Sequence, residues 1–359
     1  MSAAEPSQRG LAGSPVRLGL LRLVDSAPPL LAASRGLFDR HGVAVEISIE
    51  PSWANLADKL SYGLLDAAVM LPPLALAAAL GLRGPPARLI VPLGTSQGGN
   101  TIVLSAEAAT AAGMEAGEAL PPPAAGALLL AWLRAQPSPP RFAVVHAYST
   151  HNLLLRYWLA AIGGDPDRDI ETVVVPPEDV VAALAAGGIA GFCAGAPWGG
   201  HAEVAGAGRV LLGTSSIWPL HPEKCLAMAE GFAQAAPSAV AALLGALLAA
   251  QALCDQPEEA PALAALLARP DGLALPEAAC RAVLAGGSAR ERIRFHAGAA
   301  WFPATAHARW FLGQMRRWGW VDAASADLEA LARQVYRPDL LNGVVGADTL
   351  PPNGDEAVY

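Results

Sequence analysis

The polar residues that could do chemistry in this chain gather where strands give way to helices. The stretch YSTHNLLLRYW, Tyr148 to Trp158, follows an apolar run from Phe142 to Val145 that reads as a strand. Ser149 and Thr150 are favoured helix N-cap residues. Leu153, Leu154, Trp158 and Leu159 continue as a mostly apolar helix, and Gly163-Gly164 with Pro166 ends it. Such a junction offers free backbone N–H groups and the positive end of a helix dipole, which is the chemistry of an anion site. His151 and Asn152 fall in the first turn and add side-chain donors. His151 can be neutral or charged at pH 7, since an unperturbed imidazole titrates at about 6.5.

Three other strand ends carry polar residues: Asp25-Ser26, Ser52-Trp53-Ala54-Asn55, and Ser96-Gln97-Gly98-Gly99-Asn100. Open α/β sheets bind ligands beyond the carboxyl ends of their strands, so these four places carry the functional argument. Gly98-Gly99 allow a close backbone approach. Taken singly, each place is ordinary turn chemistry. Trp53 alone reads as core or partner surface, His151 as a surface histidine, and Lys224 in His-Pro-Glu-Lys as a surface lysine.

Signatures of catalysis are weak. The chain has no Gly-x-Ser-x-Gly elbow, no Walker lysine loop and no His-Glu-x-x-His. His146 and His151 lie five apart across the junction, a poor basis for a metal site. Cysteines 193, 225, 254 and 280 show no Cys-x-x-Cys spacing, and their scatter suits reduced, mostly buried thiols. The expectation is a binding protein without enzymatic activity, metal or cofactor. A net charge of -8 argues against a broad nucleic-acid surface, leaving Arg290, Arg292, Arg294, His296 and Arg316-Arg317 as solvated faces or a protein contact. Ala239–Cys254 is apolar but short and alanine-rich, so no membrane span is expected. The first residues lack a basic stretch followed by an apolar one, so the expected location is cytoplasmic.

The elements that must position these residues alternate. Residues 1–15 read as a flexible lead and Val16–Leu23 as a strand. A helix from Asp25 to Phe38, a strand over Val43–Ile49, a helix from Trp53 capped by Ser52, a strand over Leu64–Met70, a helix over Leu74–Leu80 and a strand over Arg88–Leu93 follow. That alternation predicts a parallel or mixed sheet covered on both faces. Ser105–Arg141 is rich in Ala, Gly and Pro, with a helix over 123–135 and loop elsewhere. Strands are expected at Ile170–Val175, Ile189–Ala194 and Val210–Gly213, and a helix at Glu178–Ala186. From Pro222 to about Val283 the chain reads helical. Trp301–Trp320 ends in an amphipathic helix, and residues 338–359 read as a loose tail.

Six segments in order resemble the nitrate-binding branch of the ABC-transporter solute-binding proteins: PSWANLADKLSYGLLDAAVMLPPLALAAALG, SQGGNTIVLS, STHNLLLRYWLAAIGGDPDRDI, VVVPPEDVVAALAAGGIAGFCAGAPW, IWPLHPEKCLAM and FPATAHARWFLGQMRRWGW. The resemblance spans about residues 16–320. It implies an α/β, two-lobed periplasmic-binding-protein type II clamshell with an extra helical C-terminal region. The implied lobes are residues 16–100 with 214–359, and residues 101–213, with crossings near Asn100–Thr101 and Gly213–Thr214. It also implies nitrate held by Trp53, Gln97, His151 and Lys224, with Asn55 and Gly98 beside them. A planar monoanion with three acceptor oxygens suits donors and one positive charge better than carboxylates. Transport members of the family, including bicarbonate binders that use calcium, often have Glu-Pro-Trp where this chain has Ala196-Pro197-Trp198. That departure, with the missing export signal, is similar to the cytoplasmic nitrate/nitrite sensor of the NasS type. Such a sensor would release an RNA-binding antiterminator of the NasT type when nitrate or nitrite binds. The alternative expectation is a periplasmic or lipid-anchored subunit of a nitrate ABC transporter.

Overall fold

The computed structural model describes residues 14–115, 120–286, 290–322, 327–346 and 349–351. In chain order the strands are β1 (Val16–Leu20), β2 (Val45–Ile49), β3 (Ala67–Met70), β4 (Leu89–Gly98), β5 (Asn100–Ser105), β6 (Arg141–Val144), β7 (Glu171–Val174), β8 (Gly191–Gly195), β9 (Gly208–Gly213), β10 (Pro222–Ala229) and β11 (Ile293–Arg294). They form two sheets, ordered β11-β4-β10-β3-β1-β2 and β7-β6-β8-β5-β9. β1 pairs parallel with β2 and β3, while β10 runs antiparallel between β3 and β4. In the second sheet β6 pairs parallel with β7 and β8, and β5 runs antiparallel between β8 and β9. The central strands are apolar and buried throughout, as sheets covered on both faces require.

Both crossings between the sheets are short. β4 ends at Gly98 and β5 begins at Asn100, so one residue separates the sheets there. Gly98 and Gly99 sit at φ 72° and 83°, left-handed values that only glycine adopts freely. The chain returns between Gly213 and Pro222. The segment 290–294 lies along both crossings. Ile293 and Arg294 pair with Gly98 and Gln97, Arg290 donates to Val210 O at 3.0 Å, and Glu291 accepts from Gly199 N at 2.9 Å and from Gly200 N.

Several expectations need correction. Residues 222–229 form a strand, not the start of a helical region: the apolar run Cys225–Ala229 is too short to show a period that separates the two. The Ser96–Asn100 stretch is not a loop after a strand, because β4 continues through Gly98. The single helix expected over residues 25–38 is two, Ala27–Ser34 and Leu37–His41, broken at Gly36 with φ 64°. Ala106–Ala111 adds a helix in a region read as loop. The tail is anchored as far as Leu341, which is fully buried. The expected lead over 1–13 and the tail residues 352–359 lie outside the described residues.

Helix Pro237–Cys254 is long and apolar enough to cross a membrane, but half of it is buried inside the fold. Its Val240, Leu243, Leu244 and Leu247 join the core beneath the first sheet, and Gln251 Nε2 donates to Phe295 O at 2.7 Å. It is a core helix. The helical C-terminal region, Thr305–Arg317 with Leu328–Val335, follows it.

The close seat of segment 290–294 on the crossing is testable at Gly213, where a Cβ would stand 2.1 Å from Arg290 O. Gly213→Ala is expected to cost about 1–3 kcal/mol, the usual range for overpacking. A urea midpoint equal to the parent's would show that the segment is not held there.

Candidate functional site

Four elements deliver the site. Ser52 caps helix Trp53–Ser61 by accepting from Asn55 N at 3.1 Å, which fixes Trp53 in its first turn, 2% exposed. Gly19 of β1 lets this helix lie close, since a Cβ there would be 2.6 Å from Leu56 Cδ1. Ser149 caps helix Thr150–Ala161 in the same way, accepting from Asn152 N at 3.1 Å and donating to His146 O at 2.8 Å. That cap sets His151 one residue into the helix, fully buried. The turn after β1 supplies Asp25, and β10 supplies Glu223 and Lys224.

These residues meet between the two sheets. Lys224 Nζ donates to Glu223 Oε1, stands 3.5 Å from Asp25 Oδ2 and lies 5.6 Å from the centre of the Trp53 ring. Glu223 Oε2 accepts from Asn100 Nδ2, and Asp25 Oδ1 accepts from Ser96 Oγ. His151 Nε2 lies 3.1 Å from Glu223 Oε1 without the alignment of a hydrogen bond. His221 Nε2 is 2.8 Å from Thr214 Oγ1, and its Nδ1 is 3.7 Å from Glu223 Oε2. Asp25, Asn100, His151, Glu223 and Lys224 are all at most 1% exposed.

One point in this cluster has unspent bonding capacity. A Cβ built on Gly195, the last residue of β8, would lie 3.3 Å from Asn100 Oδ1, 3.5 Å from His151 Nε2 and 3.6 Å from Asp25 Oδ2. Each of those three buried atoms lacks a protein hydrogen bond. Buried polar groups are nearly always paired, so these atoms make the surroundings of Gly195 a candidate ligand position, at which His151 Nε2 can donate and Asn100 Oδ1 can only accept.

The geometry brings Trp53, His151 and Lys224 together, as the sequence suggested. Gln97 and Asn55 are close in the chain to these elements, yet no hydrogen bond joins their side chains to the cluster. Gln97 Oε1 and Asn55 Oδ1 are themselves buried and unpaired. Gly98 serves the crossing: a Cβ there would be 2.6 Å from Arg292 O. Sequence reasoning missed Gly195 and Glu223, and it named Asn100 only as a strand-end residue and a crossing, without assigning it to the ligand. Asp25 was visible as a strand-end residue but was not assigned to the ligand. Glu223 precedes Lys224, and neighbours on a strand normally face opposite ways. The β10–β4 register shifts on both sides of Lys224, so both side chains reach the same cluster.

The electrostatics follow from burial. Desolvation lowers the Lys224 ammonium, but Asp25 and Glu223 more than offset it and hold the pKa above the usual lysine value. Desolvation raises the Glu223 carboxyl to about 7, with Lys224 opposing the rise and Asp25 adding to it. Burial, then Lys224 and His221, push His151 well below the imidazole range, so it is neutral at pH 7. His221 falls to about 3, mainly by burial. Among the described residues no group of three His, Cys, Asp or Glu is arranged to hold a metal ion. Ala196 presents its carbonyl to Val24 N at 3.2 Å, a link between the sheets. The four cysteines are free and buried.

Two mixed α/β sheets with a polar cluster enclosed between them define a fold of the periplasmic-binding-protein type. The chain belongs to the NMT1-like family, matched over residues 11–268, and within it to the nitrate-binding branch of the ABC solute-binding proteins. It is 35% identical over 335 residues to the nitrate import ATP-binding protein NrtC of Synechocystis sp., covering 90% of this chain but 48% of that protein. The chain therefore spans about half the length of this relative, and it carries no Walker lysine loop: its two lysines are Lys59 and Lys224. It is 31% identical over 374 residues to the nitrate/nitrite binding protein NrtA of Synechococcus elongatus, covering 94% of this chain and 80% of that one. The crystal structure of the periplasmic nitrate-binding protein NrtA from Synechocystis superposes with a TM-score of 0.85 at 28% identity, covering 94% of this chain and 91% of that one.

Removing the ammonium should expose the cost of the carboxylates it holds. Lys224→Met is expected to destabilise by about 3–5 kcal/mol at pH 8, the range for breaking a buried ion pair. The sign with pH follows from Glu223. A carboxyl raised above its unfolded value favours folding below about pH 4.5, and that advantage is lost as pH rises through about 7. The penalty should therefore shrink at pH 5. Denaturant titrations at both values test this, and an equal penalty would show that Glu223 does not depend on the lysine.

Proposed function

We propose that this chain is the anion-binding component of a nitrate/nitrite importer, closing its lobes on one monovalent oxyanion beside Gly195. The observation that carries the proposal is the enclosed Lys224 ammonium, 5.6 Å from the centre of the Trp53 ring, with Trp53 Nε1 and His151 Nε2 both buried and without a protein partner. Relatives named for nitrate import support nitrate or nitrite as the ligand. The lobes are taken as residues 16–100 with 214–359, and residues 101–213. Aromatic contacts between helices Thr305–Arg317 and Thr150–Ala161 would sense closure. The Tyr157 and Trp310 rings are 5.9 Å apart, and the Arg156 guanidinium lies 4.7 Å from the Trp318 ring.

The partner that fits is a membrane-transport assembly with an ATPase, since the half-length relative is itself an import ATP-binding protein. That favours transport over the cytoplasmic sensor and its antiterminator. Trp53, Gln97, His151 and Lys224, with Asn55 and Gly98, remain the proposed ligand set, joined by Gly195 and Asn100.

Calorimetric titration with nitrate, nitrite, bicarbonate and a small sulfonate tests the reading. Nitrate or nitrite is expected to bind one per chain and to change tryptophan emission. Lys224→Ala should weaken binding roughly ten- to a hundredfold, the worth of a hydrogen bond to a charged group. Gly195→Ala should also weaken binding, because its Cβ would meet Asn100 Oδ1 at 3.3 Å and His151 Nε2 at 3.5 Å. Unchanged affinity in both variants would put the anion elsewhere.

A further inference from the structure

The residues around Gly195 raise a charge problem that the anion must solve. Lys224 is already paired with both Glu223 and Asp25, and all three side chains are enclosed. Two carboxyl groups stand against one ammonium, so ionising both would leave one negative charge uncompensated. His151 and His221 cannot repair this, since burial keeps both neutral. An incoming monoanion would then stand beside a cluster of its own sign, in a site from which water is excluded. Adding one proton makes the cluster neutral before the anion arrives.

Resting on the reading above, we propose that the anion is bound together with one proton, taken from solvent by the Glu223 carboxylate. Six groups face Glu223. Lys224 comes from its own strand, Asp25 from the turn after β1, Asn100 from β5, His151 from helix Thr150–Ala161, His221 from the turn before β10 and Cys193 from β8. Asp25 already accepts from Ser96 and has the ammonium beside it. Glu223 is the carboxyl with an oxygen beside unpaired His151 Nε2, and the one held near neutrality, at about 7. The step balances simply. Glu223 gains a proton and one O–H bond, the ionic contact from Lys224 Nζ is freed for an anion oxygen, and the carboxylic acid becomes a hydrogen-bond donor where a carboxylate could only accept. Glu223 thereby sets specificity: the site takes a monoanion in place of the carboxylate charge it loses.

The test uses the full chain and nitrate. Titrations at pH 8 in buffers of different ionisation enthalpy are expected to show close to one proton taken up per anion, and uptake should vanish below about pH 6. The dissociation constant should rise roughly tenfold per pH unit above about 7 and be flat below it. Glu223→Gln should bind with no proton uptake and with an affinity independent of pH. An infrared difference spectrum of the parent should gain a carboxylic-acid carbonyl band on adding nitrate at pH 8, a readout that does not depend on how the variant folds. Nitrate binding at pH 8 without proton uptake, or a pH slope that survives in Glu223→Gln, overturns the inference while leaving anion binding intact. A slope lost only in Glu291→Gln overturns it as well, because that carboxyl bridges the crossings. No heat with any anion at any pH overturns the binding reading and this inference together.

Discussion

The enclosed ammonium of Lys224 is the interaction on which the rest of the site depends. A lysine taken fully out of water is tolerated only when its charge is compensated and its donors are used. Asp25 and Glu223 supply that compensation, and each is held in turn by a neutral donor, Ser96 or Asn100. Two unit charges about 4 Å apart interact by about 4 kcal/mol at an effective dielectric of 20, so no member of this group is independent of the others. The cluster draws on both sheets: Ser96, Glu223 and Lys224 lie on strands of the first, with Asp25 in the turn after β1, and Asn100 and Gly195 lie on strands of the second, with His151 on the helix Thr150–Ala161. Its electrostatics therefore link the two sheets as well as shape the candidate site.

Backbone irregularity makes that cluster possible. β10 shifts register against β4 on either side of Lys224, which brings two adjacent charged side chains to one place. Next to it, left-handed Gly98 and Gly99 carry the chain from β4 into β5 with a single intervening residue, so Asn100 enters the second sheet immediately beside the first. Both features lie at the crossings; further register shifts occur within the sheets, between Leu226 and Met228 of β10 and between Ile102 and Val103 of β5. Segment 290–294 then fills the groove along the crossings, where glycines leave no room for a side chain.

Much of this was legible in the sequence, for identifiable reasons. Ser52 and Ser149 announced helix starts, and both caps form as capping chemistry requires. Alternation of strands and helices through the first hundred residues announced the α/β class. β10 was not legible, because CLAMA and the alanine-rich run after it form one apolar stretch without a period to mark the change. Glu223 was not legible either, since alternation along a strand would send it away from Lys224. The expectation of donors without carboxylates failed for the same reason: it counted what an anion wants and left out what a buried lysine needs.

That last point changes where the anion's charge is met. The strand–helix junction at Ser149 suggested a helix dipole facing the ligand, worth typically 0.3–1 kcal/mol at a helix end. The first turn of that helix is partly spent on its own cap, with Ser149 accepting from Asn152 N. What the junction contributes to the cluster is His151, neutral and placed by the cap with an unpaired nitrogen. Charge is handled by a lysine that two carboxylates hold ready. A lone lysine would be a stronger trap for any anion, but it would be an uncompensated buried charge whenever the site was vacated. Pairing it with carboxylates lets the same residues stay buried with and without ligand, and the excess of acid over base then ties the anion to the proton.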